Sequence, residues 1–162
     1  PYYESGKLVS IRHRLRWPNG HGKYRPEFAG LPSRLFNVDS LTNEDELSFS
    51  LIPDNEAVVV EGEIKSMVVA EHLGCPCVGL PGANNWRADW TAYFKKIKTA
   101  YWLPDPGLSQ KTVDFVANGL KAAGCKVVIC SMTVKCDDYF VVYSGSVQRF
   151  LRYLERGRLY RE

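Results

Sequence analysis

Ala57-Val58-Val59-Val60-Glu61-Gly62-Glu63-Ile64-Lys65-Ser66-Met67 sets a continuous β-branched run directly before an acid, a glycine and a second acid. An apolar run without alternation is what a strand buried on both faces looks like, as in a parallel sheet. Ile64, Met67, Val68 and Leu73 then recur with a helical period that Gly74 ends. Outward from this unit, Cys77-Val78-Gly79-Leu80 reads as a further strand, Trp90 to Lys98 as a poor helix and Thr99 to Leu103 as a strand again. Val113, Val116, Ala117 and Leu120 mark a helix that stops at Gly124, and Lys126 to Cys130 is another short strand. Strands alternating with helices predict βαβ units and an α/β fold with a mostly parallel central sheet. At the end of the chain, Val147, Phe150, Leu151 and Leu154 fall on one face of an amphipathic helix, followed by Arg156, Arg158 and Arg161.

At 162 residues the chain suits one main domain with an appendage. No apolar run approaches the roughly 20 residues needed to span a bilayer, so a membrane protein of the helical kind is not expected. Five cysteines, an odd number in a chain large enough to need no staples, point to a reducing compartment and hence the cytoplasm. The opening Pro1-Tyr2-Tyr3, without initiator Met or leader, reads as a piece of something longer. The net charge of +3 is unevenly spread: residues 1–34 hold seven Lys/Arg against two acids, so the remainder is mildly acidic. A basic front on an acidic body suits a protein that meets an anion at one end.

That front has a pattern of its own. From Gly6 to Trp17 the residues alternate, with Ile11, His13, Leu15 and Trp17 on one face and Arg12, Arg14 and Arg16 on the other. The turn Pro18-Asn19-Gly20-His21-Gly22 precedes Lys23-Tyr24-Arg25, which predicts a β-hairpin. Its arginine row, with Lys23 and Arg25, could follow a phosphate backbone; the plain alternative is a solvated strand face. Trp17 and Trp86 are candidates for stacking on bases, whereas Trp90 is expected in the core and His13 is expected to pack as a ring on the apolar face.

In an open parallel sheet, ligands bind beyond the carboxyl ends of the strands. Glu61 follows the strand Val58-Val59-Val60 immediately, and Asp105 follows Tyr101-Trp102-Leu103-Pro104 in the same way. Carboxylates from different strands meeting in one crevice are what Mg²⁺ needs, since it takes one or two protein oxygens and fills its shell with water and phosphate. The plain alternative is that both are loop acids capping the following helices. Cys75-Pro76-Cys77 with Cys125 and Cys130 lacks zinc spacing and reads as buried thiols, and Gly79-Leu80-Pro81-Gly82 lacks the Walker spacing and its Lys-Ser/Thr pair.

These pieces together resemble a known family. Val58-Val59-Val60-Glu61-Gly62-Glu63 is similar to the first motif of Toprim domains, and Val78-Gly79-Leu80-Pro81-Gly82-Ala83-Asn84-Asn85-Trp86 resembles the loop after the second strand in phage and plasmid primases of that family. Ala100 to Gln110 sits where the family has Asp-x-Asp, and Lys135-Cys136-Asp137-Asp138-Tyr139 is similar to its Lys-Asp-x-x-Asp-Tyr element. The likeness covers about residues 57–145. Upstream, Gly6-Lys7-Leu8-Val9, Arg14, Lys23-Tyr24-Arg25-Pro26-Glu27 and Leu35-Phe36-Asn37 resemble, more loosely, the small basic subdomain that precedes Toprim in primase cores. Toprim topoisomerases and nucleases lack this preface.

The resemblance implies a Toprim-like Rossmannoid fold, a mostly parallel central sheet flanked by helices, preceded by a small basic β-hairpin subdomain. It divides the chain into residues 1–53, the basic subdomain; 54–145, the Toprim domain; and 146–162, a helix or linker to a further domain. It implies primer synthesis from nucleoside triphosphates on a single-stranded DNA template, with a replicative helicase domain as partner. Glu61 and Asp105 would act as catalytic residues and hold Mg²⁺ or Mn²⁺, with Asp137 or Asp138 assisting. Arg12, Arg14, Arg16, Lys23, Tyr24, Arg25 and Trp86 would meet nucleic acid or nucleotide. Two departures stand out: Gly107 occupies the place of the second acid of Asp-x-Asp, and Lys65 a place often held by Asp. They leave the site a carboxylate short, so a module that binds single-stranded DNA without catalysis, or a Toprim nuclease, remains an alternative.

Overall fold

The computed structural model describes residues 1–16, 24–42 and 50–161. The N-terminal part forms two small antiparallel pairs: β1 (Tyr2–Glu4) with β2 (Lys7–Ser10), and β3 (Arg12–Arg14) with β4 (Tyr24–Pro26). The alternation from Gly6 onward is thus divided between two pairs instead of running as one strand. His13 is not packed: it is exposed, and its ring Nε2 meets the Glu27 carboxylate just beyond β4. The turn holding Pro18 to Lys23, together with Trp17 and the acidic stretch from Asn43 to Glu46, lies outside the described residues.

The body is a five-stranded sheet. Its elements follow in the order β5 (Glu56–Glu61), α1 (Glu63–Leu73), β6 (Cys77–Leu80), β7 (Thr99–Leu103), α2 (Gln110–Ala122), β8 (Lys126–Ile129), α3 (Cys136–Val141), α4 (Val147–Glu155) and β9 (Arg158–Leu159). The strand order is β6-β5-β7-β8-β9, parallel except for β9. This is the mixed α/β architecture expected from the sequence. The closing strand β9 is an addition to that expectation, because two residues after an amphipathic helix carry no periodic signal.

Residues 57–60 have no solvent exposure at all, and the reason is their position. Ala57 and Val59 point to a core shared with Trp102, Val116, Leu120 and Phe94, under α2. Val58 and Val60 point to the opposite core, shared with Val69, Leu73, Phe140, Phe150 and Leu154, under α1, α3 and α4. A central strand covered on both sides needs apolar residues at every position, and full burial of each valine side chain is worth about 1.5–3 kcal/mol.

Helix α2 buries the four residues that its period marks, Val113, Val116, Ala117 and Leu120. Helix α1 does not follow its apolar pattern. Met67 is exposed, while Glu63, Ser66, Val69 and Leu73 face inward. Ser66 is fully buried because its hydroxyl donates to the Cys77 carbonyl at 2.6 Å, tying the helix to β6. The two edges of the sheet are closed differently. Phe36 and Gly79 exchange backbone hydrogen bonds of 2.9 and 3.1 Å along β6, and β9 covers β8. Covering an edge removes a template for pairing with other chains.

At Gly79, β6 passes directly beneath the turn that leaves β5. A Cβ there would lie 2.5 Å from the Gly62 carbonyl oxygen and 2.9 Å from its carbon. Both are backbone atoms and cannot swing aside. Gly79→Ala is therefore expected to lower stability by about 1–3 kcal/mol, the usual penalty of overpacking; an unchanged urea midpoint would disprove the close approach.

Candidate functional site

Strand order places a topological switch at β5. The chain leaves β5 for β6 on one side, then crosses to β7 on the other, so the loops after β5 and β7 diverge and leave a crevice at their carboxyl ends. Glu61 is the last residue of β5, and Asp105 follows β7 by two residues. Gly62 turns the chain sharply between Glu61 and α1 with φ 91°, a conformation side chains rarely adopt. The two acids predicted from the sequence thus stand on the two lips of one crevice.

The crevice is part of a cavity of about 600 Å³. Glu61, Glu63, Asp105 and Asp137 line it, and so do Arg12, Arg14, Lys65 and Lys135, so anionic and cationic groups are interleaved. Arg12 and Arg14 come from β3, Lys65 from α1 and Lys135 from the loop before α3. Tyr24 on β4 also reaches the cavity, with the Arg12 guanidinium 5.3 Å from its ring centre. Asp138, the neighbouring candidate, is not among the lining residues. Nor are Arg16 and Arg25, and Lys23 lies outside the described residues. Trp86 packs elsewhere: its ring is set edge-on to Trp90 at 5.9 Å and lies on Gly119 of α2, where a Cβ would come within 2.2 Å of the indole nitrogen. Trp90 is buried in the same cluster, as expected.

Lys65 is the residue that sequence reasoning left without a task. From the first turns of α1 its ammonium donates to the Glu61 carbonyl oxygen at 3.0 Å and pairs with Asp105 Oδ2 at 3.0 Å. Burial alone would lower its pKa, but the hydrogen bond and charge of Asp105, helped by Asp137, raise it overall. Lys65 is therefore held charged. The Glu61 pKa is raised as well, which for an acid favours the neutral form. Burial and the Asp105 charge push its carboxyl above the ordinary value, against the pull of Lys65, the Ala83 N–H and Lys135.

Glu63 belongs to a second, deeper network. It accepts a hydrogen bond from Tyr2 Oη at 2.5 Å and from Arg12 Nη1 at 2.6 Å, and Arg12 also donates to Tyr2 Oη at 3.1 Å. A nearly buried carboxylate with two donors is compensated, and this one clips β1 and β3 onto α1. Of the arginine row, Arg12 is consequently committed to the protein while Arg14 is exposed.

Among the described residues no group of three or more His, Cys, Asp or Glu side chains is placed to hold a metal ion. Asp137 Oδ1, however, is buried without a hydrogen-bond partner, an oxygen with capacity to spare. Glu61 and Asp137 line the same cavity, and a hydrated Mg²⁺ or Mn²⁺ needs only one or two protein carboxylates, so the donor chemistry fits such an ion. All five cysteines are free and buried; burial pushes the Cys125 thiol up to about 11, as suits a core residue rather than a metal ligand.

No family model matches the chain. The Gene 57 protein of Mycobacterium phage D29 is 29% identical over 109 residues, covering 65% of this chain and 64% of its own. The zinc-binding and RNA polymerase domains of Aquifex aeolicus primase superpose with a TM-score of 0.70 at 16% identity, over 94% of this chain and 38% of that one. A DnaG primase catalytic domain bound to single-stranded DNA gives a TM-score of 0.69 at 16% identity, over 98% and 51%. The fold is that of primase-type Toprim catalytic cores, and the chain spans less than two thirds of the length of each of these proteins.

The Glu61 carboxyl carries a stability consequence. With its folded pKa above the ordinary 4.5, its favourable contribution is complete below that pH and is lost as pH rises through the raised value. Glu61→Gln should therefore melt above the wild type at pH 7, and the difference should shrink toward zero as pH falls below about 4. Scanning calorimetry at both pH values checks this; a Glu61→Gln protein less stable at pH 7 contradicts it.

Proposed function

We propose that this chain is the core of a primase, joining ribonucleotides on a single-stranded DNA template. The observation that carries the reading is Glu61 at the switch-point crevice of the sheet, facing basic residues of the N-terminal hairpins across one cavity. The likeness in fold to the DnaG core, and to a DnaG domain described as bound to single-stranded DNA, supports it.

In this reading Glu61 and Asp137 hold one Mg²⁺ or Mn²⁺, with Asp105 close by and Asp138 at the margin. When bound, the ion supplies charge stabilisation to the transferring phosphoryl group. The remaining work falls to the chain. Arg14 and Lys135 bring fixed positive charge to the triphosphate, and Tyr24, braced by Arg12, walls the cavity beside them. Arg16, Lys23 and Arg25 extend the basic surface along the template, each contact adding salt-sensitive, sequence-independent affinity. In the reaction, a 3′-oxygen bonds to the α-phosphorus as the α–β phosphoanhydride breaks, pyrophosphate leaves and the hydroxyl proton passes to solvent. A helicase domain, in the same chain or a separate one, would supply the unwound template.

A second reading is favoured by the Lys65–Asp105 pair, which reduces the charge available to a metal ion: a module that binds single-stranded DNA without catalysis.

One assay separates the two. Incubated with ribonucleoside triphosphates, single-stranded DNA and Mg²⁺ or Mn²⁺, the primase makes oligoribonucleotides, and Glu61→Gln lowers the rate by about 100-fold or more, the equivalent of a few kcal/mol of charge stabilisation. Salt-sensitive DNA binding without oligomers in either cation favours the second reading. Undiminished synthesis by Glu61→Gln would remove Glu61 from the site.

A further inference from the structure

The geometry points to Lys65 as a resident cation of the acidic crevice, occupying the share of negative charge that a second divalent ion would need and so limiting the site to one. Three observations carry this. The ammonium meets two crevice oxygens, Asp105 Oδ2 and the Glu61 carbonyl, each at 3.0 Å. The pair is sheltered, with side-chain exposures of 13% for Lys65 and 18% for Asp105, so it is not a solvated surface contact. Lys65 also stands near the N-terminus of α1, the positive end of the helix dipole, where a cation is disfavoured and an acid is the stabilising choice. Local helix chemistry opposes a lysine here, and the crevice acids oppose that preference.

The consequence is a division of labour among the acids. Asp105 is spent on Lys65, while Glu61 and the unpartnered Asp137 Oδ1 remain for one exchangeable ion. A second dication bound through Asp105 would stand against a fixed ammonium, and like charges at contact distance exclude one another. Lys65 is therefore a positioning and specificity residue: it keeps Asp105 in place and presents a fixed positive charge to an anionic ligand such as a phosphate. This inference rests on the reading of the crevice as a phosphoryl-transfer site, but its test does not depend on catalysis.

The experiment counts Mn²⁺ bound to the 162-residue chain by the loss of the free-ion electron paramagnetic resonance signal, with circular dichroism confirming that each protein is folded. Wild type is expected to take up no more than one ion. Lys65→Met should bind its first ion about tenfold or more tightly, since carboxylate charge sets the affinity of such sites, and Lys65→Asp should admit a second. Lys65→Arg, which keeps the charge, should behave as wild type. Two ions bound to wild type, equal affinity in wild type and Lys65→Met, or no uptake by any of these proteins would overturn the inference. A failure of wild type to synthesise primers while the Mn²⁺ pattern holds would instead remove the primase reading and leave the role of Lys65 standing.

Discussion

The turn from Glu61 through Gly62 into α1 is the constraint on which the site depends. It passes so close over β6 that only a glycine fits at position 79, and that contact fixes where α1 begins and how it is rotated. From the end of β5 and this rotation of α1 the directions of three side chains follow. Glu61 ends its strand at the crevice, Glu63 turns inward to Tyr2 and Arg12, and Lys65 reaches across to Asp105. The neighbouring Ser66–Cys77 hydrogen bond ties the same face of α1 to β6. Backbone proximity, not side-chain preference, therefore sets the geometry of the acids.

The charges around this turn form two linked layers. The inner one, Tyr2, Glu63 and Arg12, is nearly closed to solvent and has its hydrogen bonds satisfied, which is the condition under which a buried ion pair is tolerated. It joins the small N-terminal strands to the first residue of α1, directly after Gly62. The outer layer, Glu61, Lys65, Asp105 and Asp137, faces the cavity and is incompletely satisfied, with a buried Asp137 oxygen lacking a partner. A saturated layer gives rigidity; an unsaturated one beside it leaves capacity for a ligand. The basic hairpin residues reach the cavity only because the inner layer holds β3 there.

The polar interior of α1 explains where the pattern of apolar residues misleads. Ile64, Met67 and Val68 mark a helix correctly but not its buried face, because two of the inward positions are filled by Glu63 and Ser66. Each is inward for a partner distant in sequence, Tyr2 and Cys77 respectively. The buried positions of helix α2 are all apolar, and they are the four that their spacing indicates. His13 and Trp86 behave in the same way: one alternates onto an apolar face yet pairs with Glu27, and the other sits in a polar loop yet packs on Gly119.

From the sequence alone came the fully buried strand 57–60, the alternation of strands and helices, and the acids at the ends of two strands. These are properties of residues near one another in the chain, where period and turn chemistry act directly. Tertiary structure alone decided that β5 and β7 are neighbours, that Lys65 joins Asp105 and that Glu63 joins the N-terminal hairpins. Those pairings span tens of residues. They arise because strand order brings remote loops to one crevice, and the low exposure there makes each charge seek whichever opposite charge the fold delivers.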